Sequence, residues 1–384
     1  MNLTVLLIAF ISILTLTNTC FADQNSDTLR ENLGRQLYFD KNLSLKRTQS
    51  CASCHDPVKG FVDATDNASE RAASLGDDGS SLGDRSAPTS SYANQIPPFH
   101  QNKKGQYIGG QFWDGRASSL KEQAAGPPLN PGEMALPNKI VATERLQENP
   151  AYVESFKQLY GQLIFADAEA AFDAMTDAIA AFEKTGFFSP FDSKYDRYLR
   201  DEYTLSKQEE LGKTLFFSKQ FSNCNQCHQL KKRPMAEGET FSDYSYHNIG
   251  VPVNTALRSL NGLAQNYVDE GLLANPNVEQ QSERGKFKVP TLRNVAVTAP
   301  YMRNGVFQEL RTVVLFYNKY NSKNEKRHIN PETGNHWAAP EISENLSLTE
   351  LESGPALDDK RIDALVAFMK LLTDSRFEYL VKWY

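Results

Sequence analysis

The chain has 384 residues, with 41 basic against 47 acidic side chains and a formal net charge of −6. That balance, without an extended basic run, speaks against a nucleic-acid partner, and a chain of this length normally buries two cores rather than one. At the N-terminus, Leu3–Leu16 is an apolar run too short to span a bilayer comfortably, and Cys20-Phe21-Ala22 offers small residues at the −3 and −1 positions of a cleavage site. Residues 1–22 read as a cleaved signal peptide, although Met1-Asn2 lacks the usual Lys or Arg. Lipidation at Cys20 is the competing reading, weakened by Thr17-Asn18-Thr19, which lacks Leu at −3. Removal of residues 1–22 leaves a periplasmic chain without a membrane span, and every remaining cysteine lies in one of two short motifs. Such a chain suits an oxidising compartment.

Residues 31–39 carry Leu33, Gly34, Leu37 and Phe39 at helical spacing and lead into Cys51-Ala-Ser-Cys54-His55. The pattern repeats later, where Leu211, Gly212, Leu215 and Phe217 precede Cys224-Asn-Gln-Cys227-His228. Two thiols one helical turn apart add across the two vinyl groups of a haem, and the adjoining His becomes an axial iron ligand. Zinc knuckles would need further cysteines, and none remain. The chain therefore reads as two covalent haem c sites, held by Cys51, Cys54 and His55 and by Cys224, Cys227 and His228. With haem propionates adding to an acidic surface, a basic electron-donor protein is its natural complement.

Between the motifs, residues 63–110 are rich in Gly, Ser, Asp and Pro and show little helical period. Ala87-Pro88-Thr89 lies in this stretch, followed by Gln111-Phe112-Trp113-Asp114-Gly115-Arg116, then Gln123, Pro127 and Asn130-Pro131-Gly132-Glu133-Met134. Phe172, Met175, Ile179 and Phe182 mark one face of a helix that Asp167 can cap. Gly, Ser and Pro break the pattern across Phe187–Thr204, where the halves join. After the second motif come His247-Asn-Ile-Gly-Val251, Val289-Pro290-Thr291-Leu292-Arg293-Asn294 and Ala299-Pro300-Tyr301-Met302-Arg303. Leu310, Val313, Val314 and Tyr317 share one helical face, as do Ile362, Leu365, Val366, Met369 and Leu372. Strand signals are sparse, so the fold should be mostly α with long loops.

These strings, in this order, resemble the bacterial dihaem cytochrome c peroxidase family, which includes the MauG-type enzymes. The resemblance covers nearly all of the mature chain. It implies two cytochrome c-like domains, 23–200 with the peroxide-reacting haem on His55 and 201–384 with the electron-transfer haem on His228. It places Glu133, Gln123 and Pro127 over the first haem and Trp113 between the two. A carboxylate suits that place, because peroxide must lose a proton to bind iron and its far oxygen must gain one. Judged as isolated residues, Glu133 is a solvated loop carboxylate and Trp113 a core indole. Arg116 faces either a propionate or Asp114.

Peroxidases of the family place a methionine fourteen residues after the His that ends the Ala-Pro-Tyr string. Arg303 stands where that His is usual, and fourteen residues on stands Tyr317, matching the tyrosine ligand of MauG-type enzymes. Met302 is the rival ligand, and a core Tyr317 shares the same geometry. No His occurs between His55 and Ala87, so the first haem should be open without reductive activation, and His100 reads as structural or superficial. The family's calcium would fall to Ser86, in place of an Asn side chain, and to the Thr298 and Pro300 carbonyls. Ser222 replaces a surface Trp that MauG uses on its protein substrate, leaving Tyr244 or Tyr246 as the exit for oxidising equivalents. His247 reads as structural. The resemblance thus implies a periplasmic oxidoreductase that uses hydrogen peroxide to oxidise a partner protein. The alternative is a cytochrome c peroxidase fed by a small cytochrome c or copper protein. A dihaem electron carrier leaves Gln123, Pro127 and Glu133 unexplained.

Overall fold

The computed structural model describes residues 26–264 and 266–382, so the proposed signal peptide, with Cys20, lies outside the described residues. The architecture is mostly helical. Among the described residues its strands are two antiparallel pairs, His100–Gln101 with Tyr107–Ile108 and Tyr246–His247 with Phe287–Lys288. No described helix is long and apolar enough to cross a membrane.

Two apolar clusters organise the chain. The first gathers Leu33 and Leu37 from helical residues 26–39 with Phe172, Met175, Ile179 and Phe182 from helix Ala168–Glu183, which Asp167 caps by accepting from the Glu169 N–H. The second gathers Leu215 and Phe216 of helix Lys207–Phe216 with Ile362, Leu365 and Phe368 of helix Asp359–Lys370. Each large side chain so buried contributes about 1.5–3 kcal/mol relative to exposure. Phe188 belongs to the first cluster and Tyr195 to the second, whereas Phe377 returns the C-terminal segment to the first.

The internal repeat is a repeat of packing. A Cβ on Gly34 would lie 1.8 Å from the Ala178 carbonyl oxygen and 3.0 Å from the Phe182 Cβ, and one on Gly212 would lie 1.9 Å from the Ala364 oxygen and 2.9 Å from the Phe368 Cβ. In each half the first helix therefore crosses a later, long helix at a glycine, with backbone against backbone. Gly34→Ala or Gly212→Ala must push these helices apart, and each should cost about 1–3 kcal/mol, as overpacking does. Thermal unfolding of the haem-loaded protein checks this, and an unchanged midpoint would exclude the close crossing.

Candidate functional site

None of the four motif cysteines is in a disulfide, which leaves each available to add to a haem vinyl group. Cys51–Cys54 forms a single helical turn closed by a Ser50–Ser53 capping box, and Cys224–Gln226 a tighter 3-10 turn. Both histidines are fixed the same way. His55 Nδ1 faces the Phe61 carbonyl at 3.2 Å and His228 Nδ1 the Phe241 carbonyl at 3.0 Å. A donor bond at Nδ1 leaves Nε2 as the lone-pair nitrogen, the arrangement an axial iron ligand needs. Burial lowers the pKa of both imidazoles, against the pull of those carbonyls, which favours the neutral ligating form. The donor set fits two haem c groups: two thiols and one oriented, neutral imidazole in each half.

The second site opens into an apolar cavity of about 360 Å³, lined by Cys224, Cys227, His228, Met302, Tyr317 and Met369. Tyr317 and His228 thus share one cavity. Burial raises the Tyr317 hydroxyl's pKa above its ordinary value, and nearby Cys227 and Cys224 push the same way. Met302 lines the same space, so the structure brings both ligand candidates to it.

A second level of the repeat bears on that choice. Phe112 and Met302 have positive φ (64° and 68°), as do Gly115 and Gly305 (69° and 64°), and the bridges Gln111–Ala117 and Tyr301–Phe307 close the same loop in each half. Each loop runs into a helix, at Leu120 in the first half and Leu310 in the second. In this register Trp113 corresponds to Arg303, and Pro127 corresponds to Tyr317. The residue that the resemblance puts over the first haem therefore occupies the place Tyr317 holds in the second.

In the first site, Gln123 sits on helix Leu120–Ala124 and Pro127 on helix Gly126–Leu129, and the Asn130–Met134 turn folds back onto them through Met134 N–H to the Pro127 carbonyl at 3.2 Å. The Glu133 backbone is pinned at both ends, its N–H to the Asn130 carbonyl at 3.0 Å and its carbonyl to the Asp77 N–H at 2.7 Å. Its carboxyl is felt electrostatically at Cys51 and Cys54, which places it by the first haem loop. Burial raises its pKa, and Arg116 and an Asn130 hydrogen bond oppose the rise. Arg116 itself pairs with Asp114 at 3.0 Å and stacks on Phe112 at 3.6 Å from the ring centroid.

Trp113 joins the halves. Its Nε1 donates to the Ser86 carbonyl at 2.9 Å, its own carbonyl accepts from the Lys288 N–H at 2.9 Å, and it lines the cavity with Pro88 and Pro290. Lys288 is buried, with its ammonium on the Gly110 carbonyl and its pKa pushed down to about 7 by burial. Beside it runs an ion network that sequence reasoning missed. Arg85 holds Asp114 at 2.7 Å and Asp269 at 2.6 Å, and Arg303 reaches Asp269 at 3.6 Å and pairs with Glu341.

The remaining candidates sort simply. His100 is exposed, with Nδ1 at 2.8 Å from the Pro98 carbonyl. His247 lies between Ser245 and Ser347, at 3.0 and 3.1 Å, beside Cys227. Tyr244 and Tyr246 are buried, so neither hydroxyl reaches the surface. The Ser86 hydroxyl faces the Met302 and Arg303 carbonyls at 3.2 and 3.3 Å, while Thr298 and Pro300 line the cavity.

The chain is similar to known proteins in sequence and fold. A family model described as di-haem cytochrome c peroxidase matches residues 28–204. The methylamine utilization protein MauG of Paracoccus denitrificans is 53% identical over 350 residues, covering 91% of this chain and 90% of that one. Cytochrome c551 peroxidase of Nitrosomonas europaea is 36% identical over 71% of this chain and 68% of its own length. Among solved structures, the diheme peroxidase BthA from Burkholderia thailandensis superposes with a TM-score of 0.80 at 29% identity, covering 92% of this chain and 88% of that one.

Proposed function

The chain belongs to the di-haem cytochrome c peroxidase family, and from that premise we propose that it uses hydrogen peroxide at the first haem to oxidise a partner protein, as MauG-type enzymes do. It is a peroxide-dependent dihaem oxidoreductase with two haem c groups in a mostly helical fold of two cytochrome c-like domains. In this reading residues 23–200 hold the peroxide-reacting site and 201–384 the electron-transfer site, and the chain works in the periplasm after loss of residues 1–22. When bound, the haem pair supplies the redox centres at which peroxide is reduced. Glu133 accepts a proton from the inner peroxide oxygen and returns it to the outer one as water leaves, with Gln123 and Pro127 shaping the space around it. Trp113, in contact with segments of both halves, carries electrons between the sites.

The observation that carries the MauG-like reading is Tyr317 in the cavity of His228, at the repeat position of Pro127. A phenolate ligand favours the ferric and higher states, whereas methionine raises the potential. The competing reading, peroxide reduction with electrons from a small cytochrome c or copper protein, draws support from Met302 in the same cavity and from Ser222 beside Phe221, neither a readily oxidised surface residue.

Electron paramagnetic resonance of the resting ferric protein should show one high-spin haem, open because no distal His is at hand, and one low-spin haem. Two low-spin signals would remove the open peroxide site. Calcium belongs to the proposal as a structural ion on Ser86, Thr298 and Pro300. Metal analysis before and after chelation tests it, and a protein free of calcium from the outset ends that part of the reading.

A further inference from the structure

One buried acid has no part in the chemistry above. Glu183 is 6% exposed, at the end of helix Ala168–Glu183 inside the first apolar cluster, and one of its carboxyl oxygens is enclosed without a hydrogen-bond partner. A buried polar atom without a partner is costly, so its retention calls for a reason. The packing repeat supplies its location. Ala178 and Phe182 receive Gly34 as Ala364 and Phe368 receive Gly212, which puts Glu183 in register with Met369. Met369 lines the second haem cavity. Glu183 is also close enough to Cys51 and Tyr38 to perturb both. Where the second haem has a thioether wall, the first has a carboxyl.

We infer that Glu183 is the proton-holding group of the first haem site. It takes up one proton from solvent when one electron is added to the first haem, and returns that proton to solvent when the electron is withdrawn. One electron and one proton move together, so the charge of this buried region stays constant. The claim rests on the proposed first site but not on which partner supplies electrons.

The surroundings favour a carboxyl that titrates. The ionisable groups facing it are Tyr38 and Cys51. Cys51 is a thioether once haem is attached, and Tyr38 lies well above neutral pH, with its hydroxyl between Ser90 Oγ at 3.2 Å and the His55 carbonyl at 3.4 Å. Of the cations on the packed elements, Lys139 pairs with Glu169, Lys121 with Asp173 and Arg30 with Asp27, while Arg35 and Lys184 are exposed. Burial alone moves the Glu183 pKa up to about 8. Reduction removes one positive charge from the neighbouring haem, which holds the proton more tightly, so the midpoint potential must fall as pH rises through the titration.

Potentiometric titration of the holoenzyme between about pH 6 and 9 tests this, without partner or peroxide. In wild type the first-haem midpoint should fall with pH, and in Glu183→Gln that slope should vanish while the second haem behaves alike in both. Glu183→Met, which copies the second half's own residue, should be equally flat and serves if the amide variant assembles poorly. A slope that survives in either variant overturns the assignment, as does a wild-type midpoint independent of pH. Failure of the MauG-like reading would appear instead in the reaction with peroxide and leave these slopes untouched.

Discussion

Glu133→Gln should keep both haems and slow the reaction with peroxide by about 10²–10⁴-fold, the usual cost of a lost acid–base group. The amide preserves the shape of the side chain, and the Asn130 turn that positions it is built from backbone bonds that the substitution leaves alone. What is lost is a group that can accept a proton and give it back. The pH profile makes the test specific. Burial raises the pKa of this carboxyl, and only its ionised form can act as the base, so the wild-type rate should climb as pH rises through the raised pKa and then level off. The Gln variant should lose that limb and be flat there. Stopped-flow mixing with peroxide at several pH values reads both effects. A variant reacting at the wild-type rate removes Glu133 from the mechanism, and a slow variant that keeps the rising limb assigns the limb to another group.

The two Cys-x-x-Cys-His motifs and the candidate ligand Tyr317 stood out in the sequence because each belongs to a local pattern: a five-residue motif, a helical face, or a string with fixed spacing. The repeat of the helices that carry Gly34 and Gly212 was legible for the same reason, whereas their close crossing with later helices emerged only from the structure. Residues 63–110 showed no helical period, and the structure accounts for this. Their order comes from side chain to backbone bonds, such as Thr89 Oγ1 to the Gly60 carbonyl at 2.7 Å, and from isolated bridges such as Leu75–Leu82. The Phe61 and Phe241 carbonyls that orient the two histidines were hidden by loop length, for one lies six residues after its His and the other thirteen. Arg85 and Asp269 meet across 184 residues, and no periodicity announces such a pair. Glu183 was invisible for a different reason. A carboxylate ending a helix reads as solvated, and only the packing against Gly34 turns it inward. Tyr244 and Tyr246, read as an exit for oxidising equivalents, are held inside by contacts from distant segments, with the Tyr246 hydroxyl on the Gly109 carbonyl at 2.6 Å.

Tyr317→Met should raise the midpoint potential of the second haem and shorten the life of the peroxide-oxidised protein. The direction follows from ligand chemistry. An anionic oxygen stabilises the more positive iron states, whereas a neutral thioether stabilises the reduced one. Burial opposes ionisation of the Tyr317 hydroxyl, so an anionic phenolate in this cavity requires the positive charge of the iron beside it. The site in the first half at the same register carries Pro127, which cannot ligate, so ligation by Tyr317 would close the second site and leave the first open. With Tyr317 bound, two oxidising equivalents can be shared between the sites through Trp113 and persist until a protein substrate docks. With Met at this place, the second haem becomes a high-potential relay that is filled by one electron before turnover. Peroxide added to the fully oxidised wild-type protein should therefore give a lasting spectral change without prior reduction, and Tyr317→Met should lose it or require a reductant first. Tyr317→Phe serves as the control, because it removes the oxygen without offering sulfur. If wild type already shows the sulfur-to-iron absorption band, Met302 holds that position, and the enzyme is a peroxidase drawing electrons from a small redox protein.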